Sequence, residues 1–102
     1  MSSGDTAIIR NSMLFATDGP NFPDWEFSTI FGFDRSEVRA IANSLSSQAP
    51  VTTETIRAVA STFNNLSGYP GGREYWAEFV PSSWPEALSA FERWRNEHQA
   101  AA

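Results

Sequence analysis

Residues 24–45, DWEFSTIFGFDRSEVRAIANSL, decide the fold, because two amphipathic segments meet inside them at a marked turn. Trp25, Phe27, Ile30 and Phe31 give the first segment an apolar side at helical spacing, and Gly32 stands where a left-handed residue closes a helix. Phe33 bridges the turn. Asp34 followed by Glu37 is an N-terminal capping pattern, in which the Asp carboxylate accepts from an orphan amide of the first turn. Beyond it Val38, Ile41, Ala42 and Leu45 recur at three and four residues, a stripe that has to be buried. Arg35, Ser36, Arg39 and Asn43 fall towards the other side. The stretch predicts helix, short turn, helix.

A glycine-containing turn between two helices, with Phe27, Val38 and Ile41 in the core between them, resembles the helix-turn-helix unit of DNA-binding proteins. The resemblance covers about one fifth of the chain and implies that Arg35, Arg39 and Asn43 would enter a groove. Charge opposes it. The stretch sets Asp24, Glu26, Asp34 and Glu37 against Arg35 and Arg39, whereas phosphate binding needs a basic face that releases counterions.

Outward from this unit, 102 residues allow one domain with one core, spanning 1–102 with frayed ends at 1–4 and 99–102. Hydrophobic residues make up 41% and aromatics 14%, with eight Phe and four Trp, so bulky rings can build that core. Seven Arg, no Lys and twelve acids give a net charge of −5, which disfavours nonspecific attraction to nucleic acid or anionic lipid and favours a basic partner. Without cysteine there is no disulfide framework, thiolate-held zinc or thiol nucleophile. The opening MSSGDTAIIRNSMLFA has no basic n-region, and Arg10, Asn11 and Ser12 break its apolar run. No apolar span approaches membrane length, so a soluble cytoplasmic protein is expected.

Upstream, Ile8, Ile9, Ser12, Met13 and Ala16 fit one face of a helix over 5–16, although Ile8, Ile9, Leu14 and Phe15 could also serve a short strand. The segment TDGPNFP, residues 17–23, turns the chain. Downstream, the run at 46–50 ends the helical hairpin, and Val51-Thr52-Thr53 offers a hydroxyl cap to the clearest amphipathic helix, with Ile56, Val59, Ala60, Phe63 and Leu66 inward. After the turn formers at 67–72, residues 73–80, REYWAEFV, predict two helical turns stopped by Pro81. Ser83 and Glu86 form a capping box for a last helix carrying Leu88, Phe91 and Trp94. The expected fold is all-α, a single compact bundle of five to six short helices containing a helix-turn-helix-like hairpin.

Catalytic and metal chemistry find little support. The one histidine, His98, lies near the end, so nucleophile triads and histidine metal sites are not expected. Asp18, Asp24 and Glu26 lack the dense carboxylates of a calcium loop. Glu74 and Glu78 share a helix face, but acid–base work would require burial that separates their pKa values. The loop Gly68-Tyr69-Pro70-Gly71-Gly72-Arg73 could form an anion nest for a small ligand. Neither cofactor nor metal is expected. Aromatics near element boundaries point instead to a non-enzymatic protein-binding module, an adaptor, inhibitor or immunity-type factor, with Trp25, Tyr69, Arg73, Trp76 and Trp84 as its contact residues.

Overall fold

A helix with small and polar residues on its buried face can admit several neighbours at once, and the first helix of this chain does so. The computed structural model describes residues 3–19, 21–45, 51–69 and 71–100. Among them stand α1 (Ser3–Asp18), α2 (Asp24–Phe31), α3 (Arg35–Ser44), α4 (Thr53–Gly68), α5 (Trp76–Phe79) and α6 (Trp84–Ala100), with no strand. The all-α expectation holds. Helix α1 packs against α3, α4, α5 and α6.

The 3.6-residue period resolves the ambiguity over residues 8–15 in favour of helix, since it aligns Ile9, Ser12, Met13 and Ala16, each fully buried. Buried hydroxyls would be costly without partners. Here Ser12 donates to the Ile8 carbonyl at 2.8 Å, Thr17 to Leu14 at 3.1 Å, and in α4 Thr62 to Ala58 at 2.9 Å. Each hydroxyl is satisfied within its own helix, so these positions can line the core.

The punctuation read from the sequence forms as expected. Gly32 closes α2 at φ 75°, and its amide donates to the Ser28 carbonyl at 2.9 Å. Glu37 reaches back to the Asp34 amide at 2.9 Å, the Thr52 hydroxyl accepts from the Thr55 amide at 3.1 Å, and Ser83 accepts from the Glu86 amide at 3.3 Å. In α4 the buried line runs through Ala58, Val59, Thr62, Phe63 and Leu66, leaving Ile56 and Ala60 on its flank.

At the ends of the described chain α1 begins at Ser3 and α6 runs to Ala100. The expected frayed positions 1, 2, 101 and 102, the run 46–50 and residue 70 lie outside the described residues. Helix α5 is a single turn rather than two, because Gly71 and Tyr75 take left-handed backbone, φ 75° and 65°, and no helix can run through them.

Arg35 departs most from its expected outward place, its side chain being 22% exposed. Its guanidinium lies 4.5 Å from the centre of the Phe27 ring and donates to the Thr17 carbonyl at the C-terminus of α1. It also donates to the Phe22 carbonyl at 2.8 Å and pairs with Asp24 at 2.8 Å. One side chain thus ties the end of α1, the connecting turn, the start of α2 and the start of α3. Arg35→Met leaves two backbone carbonyls without their charged donor and is expected to lower stability by about 2 kcal/mol. Asp24→Asn, at a carboxylate that is 95% exposed, should cost under about 1 kcal/mol. Urea denaturation of the two variants beside the parent chain checks this order.

Candidate interaction surface

Two aromatic clusters fill the interior. In the first, Phe27 and Phe31 stack with centroids 4.0 Å apart, and Phe22 meets Phe31 edge-on at 5.1 Å and Tyr69 at 5.0 Å. In the second, Phe63 stacks on Phe91 at 4.6 Å and on Trp84 at 5.9 Å, while Trp76 lies edge-on to Trp84 at 5.3 Å and to Phe15 at 5.2 Å. Against this background three rings stand out to solvent: Trp25 is 79% exposed, Tyr75 57% and Phe79 53%.

Local sequence explains each placement. On α2 the pair Phe27 and Phe31 faces inward, so Trp25, two residues before Phe27, lies across the helix from them. Around α5 the run Tyr75-Trp76-Ala77-Glu78-Phe79-Val80 holds two apolar pairs four residues apart, and one short element can bury one of them. Trp76 and Val80 turn in; Tyr75 and Phe79 stay out.

Hydrogen bonds join the two outward segments. The Asn21 side-chain amide donates to the Gly72 carbonyl at 3.2 Å and to the Glu74 carbonyl at 2.7 Å. The Tyr69 hydroxyl donates to Glu26 at 2.5 Å. A Cβ at Gly72 would meet the Tyr69 and Asn65 carbonyls at 3.1 and 3.3 Å and the Phe22 ring at 3.3 Å, so the turn lies tight on the first cluster. These hydrogen bonds tie residues 21–26 to residues 69–74.

The residues singled out for partner contact separate on this geometry. Trp25 is the most exposed of the aromatic members. Tyr69 is half-buried and spends its hydroxyl on Glu26, and Arg73 is exposed but lays its guanidinium 4.9 Å from the Trp84 ring centre. Trp84 is half-buried under that arginine. Trp76 is 7% exposed and donates its indole N–H to the Ser82 carbonyl at 2.8 Å. Tyr75 and Phe79, four residues apart, are exposed and were not among the residues expected to make contact.

Of the groove-entering set, Arg35 is turned inward and Arg39 is held by Asp18 at 2.7 Å. Asn43 is exposed, and the outward residues of α3, Ser36, Glu37, Ala40, Asn43 and Ser44, carry one charge, an acid. In the glycine loop the amides of Gly72, Glu74 and Trp76 donate to the carbonyls of Tyr69, Gly71 and Arg73, and the Glu74 carboxylate lies over Gly71. Those amides are not turned towards an anion. Glu74 and Glu78 are both exposed. His98 sits 4.4 Å from the Trp94 ring, with Nδ1 2.8 Å from the Trp94 carbonyl. Among the described residues no group of three His, Cys, Asp or Glu could hold a metal ion, and no helix is long and apolar enough to cross a membrane.

Compared with protein families, characterised proteins and solved structures, the chain matches none.

Two predictions follow from this sorting of rings. Trp76→Ala should cost about 3–5 kcal/mol as a buried truncation, whereas Trp25→Ala should stay within about 0.5 kcal/mol, both read by chemical denaturation. The hydrogen bond to Glu26 raises the Tyr69 pKa above 10.0, with burial and the nearby carboxylate charge acting in the same direction. A raised folded-state pKa means that this contribution to stability is complete below pH 10.0 and is lost as pH climbs through the higher folded value. In a Tyr75→Phe background, phenolate absorbance should report that higher midpoint, and Glu26→Gln should return it towards 10.0.

Proposed function

We propose that this chain is a small, acidic, non-enzymatic protein-binding module, working as an adaptor, inhibitor or immunity-type factor. Its contact surface centres on Trp25, Tyr75 and Phe79, with Tyr69 and Arg73 beside them and Trp84 supporting Arg73 from below. The observation that carries this reading is the exposure of Trp25, 79%, in a chain whose other three tryptophans are buried or half-buried.

Large rings left in water forgo the apolar burial that stabilises a fold, and a partner that covers them recovers it. Trp and Tyr also concentrate binding energy in hot spots. The rings stand on a scaffold fixed by the Asn21 and Tyr69 hydrogen bonds, so little ordering cost remains to be met on binding. Groove binding to DNA is not favoured, because Arg35 and Arg39 are engaged within the chain.

The test is affinity capture from source-cell lysate with immobilised parent chain beside Trp25→Ala/Phe79→Ala, the fold of each verified by circular dichroism. A protein held by the parent and released by the folded double variant is the expected result. Equal retention by both, or capture of nucleic acid alone, would contradict the proposal.

A further inference from the structure

Asn21 holds two carbonyls that a longer α5 would need for itself. Its side-chain amide donates to the Gly72 carbonyl at 3.2 Å and to the Glu74 carbonyl at 2.7 Å. In an α-helix continued back through residue 72, those same oxygens accept from the amides four residues on, Trp76 and Glu78. Here the two amides donate three residues back instead, Trp76 to Arg73 at 3.1 Å and Glu78 to Tyr75 at 3.0 Å. One side chain from the turn between α1 and α2 stands in for two rungs of a helix.

The segment that Asn21 holds is under strain. Tyr75 has φ 65°, and among the described residues it is the one residue other than glycine with positive φ, a backbone that crowds a bulky side chain. Its side chain is 57% exposed, so burial of the ring does not repay the strain. Meanwhile Tyr75, Trp76, Phe79 and Val80 have the spacing of one helical stripe, of which the observed turn buries Trp76 and Val80. The Phe15 ring meets Trp76 at 5.2 Å and Phe79 at 5.7 Å, so the core presents one surface to members of both pairs. Strained backbone persists where surrounding contacts over-determine it, and the Asn21 amide supplies such contacts on either side of Arg73.

We infer that residues 72–80 are a two-state element and that Asn21 is the latch that keeps its short form. Released from Asn21, the Gly72 and Glu74 carbonyls accept from the Trp76 and Glu78 amides, Tyr75 passes to right-handed backbone, and α5 grows to two turns. The longer helix turns its stripe so that Tyr75 and Phe79 close on Phe15 while Trp76 moves to the edge of the core. A single amide side chain thereby sets which rings this segment shows to solvent. The device goes beyond the protein-binding reading and does not depend on it.

The test is nuclear magnetic resonance of Asn21→Ala beside the parent chain. In the parent, Tyr75 should give the backbone couplings of positive φ. In Asn21→Ala those couplings should shift to right-handed values, and Hα–Hβ Overhauser contacts from Arg73 to Trp76 and from Glu74 to Ala77 should appear. A 5-fluorotryptophan label at position 76 should be broadened more strongly by a dissolved gadolinium chelate than in the parent. Adding Tyr75→Gly removes the side chain that disfavours left-handed backbone, so the double variant should lose the contact from residue 73 to residue 76 and return to the short form. Positive φ retained at Tyr75 in Asn21→Ala, residues 72–80 without helical contacts, or a longer helix that survives the added Tyr75→Gly would overturn the inference. Unfolding of the whole Asn21→Ala chain would overturn it too, because Asn21 would then hold the bundle rather than α5; unchanged spectra for α3, α4 and α6 are expected.

Discussion

The guanidinium of Arg35 is the constraint on which the rest of this architecture depends. The C-terminus of a helix presents carbonyls that need donors, and α1 has no basic residue in its last turn. The missing cation comes from α3 instead, reaching the Thr17 carbonyl, the Phe22 carbonyl, Asp24 and the face of Phe27 together. That contact fixes how α2 and α3 leave α1. It also seats Phe22 against Phe31 and Tyr69, which in turn brings the tight turn at Gly72 onto the same cluster. Trp25 lies outward because Phe27 and Phe31 occupy the buried face of α2.

Much of the fold was legible in the chain because its punctuation is local. Gly32, the Asp34 and Glu37 pair, Thr52, and Ser83 with Glu86 each act within one turn of helix, and their chemistry needs no knowledge of distant neighbours. The central role of α1 was less legible. Its buried face includes Thr6, Ser12 and Thr17, which pattern reasoning counts as polar, and hydroxyls bonded back to their own helix behave as small core residues. The inward turn of Arg35 was hidden for a different reason. It answers carbonyls at positions 17 and 22, and nothing within a helical turn of Arg35 signals them.

The candidate surface was half legible. Trp25 stood out because the inward stripe of α2 is complete without it. The burial of Trp76 was not legible, because its neighbours Phe15 and Trp84 come against it from α1 and α6. The left-handed backbone at Tyr75 shortens α5 to one turn, which buries Trp76 and Val80 and leaves Tyr75 and Phe79 exposed, the Phe79 ring touching Phe15 at 5.7 Å.

The central claim is that most aromatic side chains pack into the interior while Trp25, Tyr75 and Phe79 are left largely in solvent, Trp25 most of all. Incorporation of 5-fluorotryptophan gives a resonance for each of the four tryptophans, with Trp25 identified through Trp25→Phe. Relaxation enhancement by a dissolved gadolinium chelate then reports the solvent exposure of every indole in one spectrum. The account predicts strong broadening of Trp25 and weak effects on Trp76 and Trp94. Strong broadening of Trp76, or a Trp25 signal as sheltered as that of Trp94, would contradict it.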